Sequence, residues 1–169
     1  MPKSISCVEL QKIIQKIIQK IKYTKTIMSY ATNSIYINLF DNDNFEIGYF
    51  MINPSWRIIN NNELLQSSDV YPFHSKYQES ELDKENHDFH KWCSLTDSFR
   101  QERIEKISIG SNGDIEFKWK SGAILQSYIF DNEDYSYYFY YLTEKMMYEV
   151  WYGKCIEEFY ERKQRKNKE

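Results

Sequence analysis

Asp114-Ile115-Glu116-Phe117-Lys118-Trp119-Lys120 puts Ile115, Phe117 and Trp119 on one side of an extended chain and the four charged residues on the other. That alternation is the signature of a half-buried strand. Asn112-Gly113 precedes it and Ser121-Gly122 follows it. Asn-Gly suits a two-residue type I′ hairpin turn, with both central residues in the left-handed region, and Ser-Gly is expected to do the equivalent job. Residues 104–130 are therefore expected to form an antiparallel meander with strands at 104–110, 114–120 and 123–130. The stretch holds no His or Cys and no carboxylates converging on one face, so it reads as scaffold.

Outward from this meander, composition bounds the rest. A chain of 169 residues is one domain by the usual prior and can bury roughly 70% of its unfolded surface in a single core. The aromatic share of 17%, led by tyrosine, favours strands and amphipathic contact surfaces. Cys7, Cys93 and Cys155 are widely spaced and odd in number, which suits a reducing cytosol better than secretion. No apolar run approaches a membrane span and no signal peptide is readable, so a soluble cytoplasmic protein is expected. The net charge of −3 conceals an asymmetry: residues 1–32 carry six lysines against one glutamate, and residues 33–98 carry eleven acids against four bases. A basic start and an acidic middle suggest that the middle could steer a basic partner.

Five segments follow from periodicity. In residues 1–32, Ser6-x-x-Glu9 has the form of a capping box, and Val8, Leu10, Ile13, Ile14, Ile17, Ile18 and Ile21 recur at helical spacing. An amphipathic helix over 7–23 is expected to pack on the sheet. Residues 33–66 alternate as strands around Asp41-Asn42-Asp43-Asn44 and around Asn60-Asn61-Asn62, giving two hairpins. Residues 67–98 lose that signal and read as a long acidic loop carrying a helix near 85–97, pinned by Phe89, Trp92, Cys93 and Leu95. Residues 99–152 hold the meander and a tyrosine-rich hairpin with strands at 135–141 and 146–152. Residues 153–169 read as a short C-terminal helix and charged tail, with Ile156 and Phe159 or Tyr160 as its stripe. The expected fold is α+β: one mainly antiparallel sheet centred on the meander, an N-terminal amphipathic helix and a short C-terminal helix.

Chemistry is harder to find. His87-x-x-His90-x-x-Cys93, with His74 in reserve, has ligand-like spacing and would support a metal-dependent enzyme. His and Cys are also ordinary on a polar helix anchored by a tryptophan, and single-helix ligand triplets are unusual. A Cys–His nucleophile lacks an orienting third residue, no Gly-x-Ser-x-Gly elbow is present, and the glycines form no phosphate loop. Tyr135 to Tyr141 could stack bases, but Asp131, Glu133 and Asp134 beside them would repel a nucleic-acid backbone. No catalytic residue, metal or cofactor is assigned, and neither nucleic acid nor membrane is expected as a partner. A helix-mediated oligomeric scaffold is a further alternative.

Binding to another protein is the economical reading. Asp69, Glu79, Glu81, Asp83, Glu85 and Asp88 offer electrostatic attraction, and Tyr71 with its aromatic neighbours offers anchors. The Trp56-Arg57 strand, the Ser67-Ser68-Asp69 step and the run from Gly113-Asp114 to Gly122-Ala123-Ile124-Leu125 resemble immunity proteins of bacterial contact-dependent growth inhibition and related polymorphic toxin systems. The likeness covers residues 34–130. It implies a cytoplasmic antitoxin that binds the C-terminal toxin domain of a cognate effector, often a nuclease, and blocks it. The Ile-Lys helix at the front and the tyrosine-rich end depart from the pattern, which leaves the mode of toxin contact open.

Overall fold

The computed structural model describes residues 2–21, 25–53, 55–70, 81–128, 137–151 and 154–159. The first half of the chain runs β1 (Lys3–Ile5), α1 (Cys7–Ile21), β2 (Lys25–Ala31), β3 (Ser34–Phe40), β4 (Glu46–Ile52), β5 (Trp56–Asn60) and β6 (Glu63–Ser67). A 3-10 turn (Ser68–Val70) and α2 (Leu82–Ser94) follow. The remainder is β7 (Ile104–Ile109), β8 (Ile115–Trp119), β9 (Ile124–Ser127), β10 (Tyr137–Tyr141), β11 (Met146–Trp151) and β12 (Lys154–Phe159). Among the described residues the fold is α+β, dominated by antiparallel strands.

The strands form two sheets where the sequence suggested one. Their orders are β1-β12-β11-β10-β4-β3-β2 and β6-β5-β9-β8-β7. The chain builds four strands of the larger sheet (β1 to β4), leaves to build the smaller one, then returns at β10, which pairs with β4 (Phe139 opposite Phe50). The meander β7-β8-β9 occupies one side of the smaller sheet and is not the centre of the whole. Local alternation fixes which face of a strand is apolar, but not which distant hairpin it joins. The sheets meet through Phe50 of β4, which stacks on Phe139 at 4.4 Å between ring centroids and meets Phe117 of β8 edge-on at 4.9 Å. Gly48 permits the close approach of β4 to β10, since a Cβ there would lie 2.5 Å from the Tyr140 carbonyl oxygen.

Other boundaries also differ from expectation. Residues 1–32 contain β1 and β2 as well as α1, and α2 starts three residues before the expected 85. The C-terminal helix expected from Cys155 is instead strand β12, with Cys155 buried opposite Ile5 on one side and Val150 on the other. Two waiting strand edges override the weak helical preference of Ile156 to Glu158. Residues 160–169 and part of the expected strand 135–141 lie outside the described residues. The meander turns are three-residue loops, not type I′. Gly110 N–H donates to Asp114 O at 2.8 Å and Gly113 N–H to Gly110 O at 3.0 Å, with Gly113 left-handed at φ 95°. The paired left-handed conformation appears between β5 and β6, at Asn61 (φ 52°) and Asn62 (φ 64°).

Helix α1 clasps the two sheets. Ser6 N–H and Oγ–H both donate to Glu9 Oε2 (2.7 and 2.9 Å), and Glu9 N–H returns a bond to Ser6 Oγ at 3.2 Å. Leu10, Ile14 and Ile17 are buried while Val8 stays exposed, and the helix touches β7 of one sheet and β12 of the other. Gln11 imitates a neighbouring strand for the edge of β7: its Nε2 donates to Ile107 O at 3.2 Å, and its Oε1 accepts from Ile109 N–H at 2.5 Å. In the larger sheet, the edge strand β2 is tied down by Met28 N–H donating to Arg100 O at 2.9 Å. At the start of α1 the buried thiols of Cys7 and Cys155 are in contact at 3.3 Å without forming a disulfide, and burial pushes the Cys155 thiol up to about 12.

Candidate binding cleft

Strand alternation sends Trp56, Ile58, Phe117, Leu125 and Ser127 of the smaller sheet inward and leaves Arg57, Gln126 and Glu116 on its outer face. Register then aligns them, with Arg57 opposite Gln126 and Gln126 opposite Glu116. The three form a chain across three strands. Arg57 Nε–H donates to Gln126 Oε1 at 3.0 Å, and Gln126 Nε2–H donates to Glu116 Oε2 at 2.8 Å. Tyr128, just beyond β9, donates its O–H to the same Gln126 Oε1 at 2.7 Å and lies beneath the Arg57 guanidinium, 4.8 Å from ring centroid to the guanidinium carbon. Burial raises the Tyr128 phenol above its ordinary range, opposed by the Arg57 charge, so it keeps its proton at neutral pH.

Beside this chain opens a cleft of about 530 Å³, lined among others by Arg57, Ile59, Leu64, Ser68, Asp69 and Tyr128. Its rim is held by an unusual backbone. Ser55 has φ 85°, a left-handed conformation that disfavours a side chain. Two bonds hold it there: Ser55 N–H donates to Ser68 Oγ at 2.9 Å, and Tyr128 N–H donates to Ser55 O at 2.8 Å. Trp56 N–H also reaches Ser68 Oγ, at 3.3 Å, so this hydroxyl accepts twice and has its own hydrogen left to donate.

The acids singled out from the sequence are spread over the 3-10 turn and α2. Asp69 sits exposed on the 3-10 turn and lines the cleft. On α2, Asp83 is exposed, Asp88 is half-buried, and Glu81, at the helix start, pairs with Lys84 at 3.7 Å. Glu85 is 6% exposed and shares the inward stripe with Phe89 and Trp92, so it does not belong to a solvent-facing surface. A stripe at i, i+4 and i+7 carries whatever stands there, acid or not. Tyr71 and Glu79 lie outside the described residues.

An aromatic brace fixes α2 to the body. Trp92 packs 4.8 Å from Tyr30 and 5.9 Å from Trp56. Tyr30 O–H donates to Gln66 Oε1 at 2.5 Å, Gln66 Nε2–H donates to Trp92 O, and Trp56 Nε1–H donates to Asn33 O at 2.7 Å. The 3-10 turn and α2 are thus joined through β6.

His87 and His90 are exposed on α2 and Cys93 is half-buried. Among the described residues no three His, Cys, Asp or Glu side chains lie close enough to share a metal ion, so this trio is not gathered, and His74 lies outside those residues. Burial pushes the Cys93 thiol up to about 11, away from the thiolate that a nucleophile or ligand requires. No helix among the described residues is long and apolar enough to cross a membrane.

Sequence reasoning missed Arg57, Gln126, Glu116 and Tyr128 as a group. Each stands on the polar side of its strand's alternation, but only the register between β5, β9 and β8 brings them into line. Comparison with protein-family models, with curated proteins and with solved structures gave no significant match.

Proposed function

We propose that the protein is a cytoplasmic immunity protein, binding the C-terminal toxin domain of a cognate contact-dependent growth inhibition effector one to one and neutralising it. A nuclease is the expected toxin activity. The observation that carries this reading is the set of acids on the 3-10 turn and along α2. Asp69 stands on the 3-10 turn, Glu81 is at the N-cap position of α2 and Asp83 and Asp88 lie on it, and the packing of Trp92 on Tyr30 and Trp56 fixes α2 to the body. Leu82 and Leu95 are 52% and 44% exposed at the two ends of α2 and add apolar contact beside the charge. Preorganised charge steers association with a basic partner, and rigid support lowers the ordering cost of binding. The sequence likeness over residues 34–130 supports the same reading.

An immunity gene is expected to follow its toxin gene directly, so the test uses the C-terminal domain of the protein encoded immediately upstream. Reversing the charge of Asp69, Glu81, Asp83 and Asp88 together is expected to slow association at low salt by about tenfold or more and to flatten its salt dependence. Unchanged association rate, affinity and salt dependence would show that the toxin contacts another surface. Absence of any one-to-one complex with the wild-type chain would overturn the reading itself.

A further inference from the structure

The Arg57 guanidinium is held unlike a surface ion pair. Its Nε–H goes to a neutral amide oxygen, its face lies on Tyr128, and neither terminal nitrogen has a partner among the described residues. Its positive charge therefore has no carboxylate in contact, although Asp69 lines the same cleft; no ion pair joins the two. Gln126 cannot turn away, because its Oε1 accepts from both Arg57 and Tyr128 while its amide nitrogen is engaged by Glu116. Three strands thus fix one guanidinium and leave its two terminal nitrogens as a fork. That fork matches the two oxygens of a carboxylate.

The rest of the cleft specifies what the carboxylate is attached to. Ile59 follows Arg57 on the same outward face of β5, and Leu64, its partner on β6, is 60% exposed. They make an apolar floor next to the fork, and Ser68 adds a hydroxyl donor. The volume of about 530 Å³ falls within the range of small-ligand sites. We propose that this cleft binds a carboxylate carried on an apolar body, with the carboxylate on the Arg57 fork and the body over Ile59 and Leu64. A free organic acid and a glutamate side chain between apolar residues of a peptide offer the same chemistry. The proposal is independent of the neutralisation reading, since it concerns Arg57 and the β5/β6 face and does not require the acids of α2.

The test is titration of the isotope-labelled full-length chain, observing the Arg57 Nε–H resonance, assigned by its loss in Arg57→Lys. The probes are phenylacetate, its neutral counterpart phenylacetamide, inorganic phosphate, acetyl-Leu-Glu-Leu-amide and the corresponding Gln peptide. A carboxylate probe is expected to shift the resonance saturably while its amide counterpart does not. Arg57→Lys keeps the charge but loses the fork, and direct binding is expected to weaken by about tenfold or more. Gln126→Ala frees the guanidinium without removing it and is expected to weaken binding by a smaller factor. Response to phenylacetate identifies a free acid as sufficient; response to the Glu peptide alone identifies an acidic protein segment. The proposal is overturned if neither carboxylate saturates, if the amides or phosphate bind as well, or if Arg57→Lys binds undiminished.

Discussion

The outward faces of the two sheets are built from opposite materials. On the larger sheet Tyr49 of β4 stacks on Tyr140 of β10 at 4.6 Å between ring centroids, with Tyr36 and Tyr138 each within 6.1 Å of a member of that pair. On the smaller sheet the equivalent cross-strand position is the polar chain Arg57, Gln126 and Glu116. The tyrosine rows hold their strands by dispersion and ring geometry, which is insensitive to salt and uses up the surface that makes it. The polar chain contributes little to stability, because it stands on the outer face with Arg57 exposed and Gln126 and Glu116 only half-buried, and yet it fixes the direction of a charge. One face is therefore organised for cohesion and the other for presentation.

The largest blow falls where the two sheets meet. Phe50→Ala removes a fully buried ring from between Phe139 and Phe117 and is expected to cost about 3–5 kcal/mol. Urea unfolding followed separately by tryptophan fluorescence and far-ultraviolet circular dichroism should give coincident transitions at a lower midpoint. Two separated transitions would mean that the sheets unfold independently and that the contrast between their outer faces is one between separate units.

Next comes the contrast itself. A double-mutant cycle at Tyr49 and Tyr140 is expected to return a coupling of about 0.5–1.5 kcal/mol that does not change between low and high salt. Gln126→Ala, on the other face, is expected to change stability by no more than about 0.5 kcal/mol. A Gln126→Ala cost as large as the tyrosine coupling would make the polar chain a structural device, and its claim to be a presentation device would fall.

Both outer faces were half legible in the sequence, and for the same reason. Alternation in 114–120 and in β3 and β5 sorts apolar from polar sides correctly, because a strand with one buried face has no alternative, whereas β6 reverses it, with Leu64 exposed and Gln66 buried. Alternation is silent on partners: β5 joining β9, and β10 joining β4, are long-range choices made by packing. The same silence hid β12, whose Glu157 and Glu158 suit a helix until two strand edges are present to receive them. The acids of the middle third were legible by composition, but their depth was not. Glu85 falls on the inward stripe of α2 because it stands four residues before Phe89 and seven before Trp92, a spacing that composition alone does not weigh.

A smaller effect probes the inside of the larger sheet. Tyr137 is fully buried and its hydroxyl has no hydrogen-bond partner among the described residues, near the Cys7 and Cys155 thiols; burial drives its pKa well above the ordinary value. Tyr137→Phe deletes a desolvated hydroxyl and keeps the ring, so stability is expected to stay level or rise by about 1 kcal/mol. A loss of that size in urea unfolding would show that the hydroxyl is satisfied and that cohesion in this sheet includes a polar contact.

The smallest expected effect tests the clasp that α1 places across both sheets. Glu9 accepts two bonds from Ser6, the backbone N–H foremost, and these hold its carboxyl below the ordinary carboxylate range. A depressed folded-state pKa means that the unfolded chain takes up the proton first as pH falls. The contribution is therefore complete above the ordinary glutamate range and is lost as pH drops through it towards the folded-state value. Glu9→Gln should then be slightly less stable than wild type at neutral pH, and the difference should shrink on acidification within that window. Because Gln11, two residues on, secures Ile107 and Ile109 of β7 in the smaller sheet, hydrogen exchange should register the loosening at the Ile109 amide before the interior of the larger sheet. Equal acceleration in both sheets would mean that α1 does not favour the presenting sheet over the cohesive one.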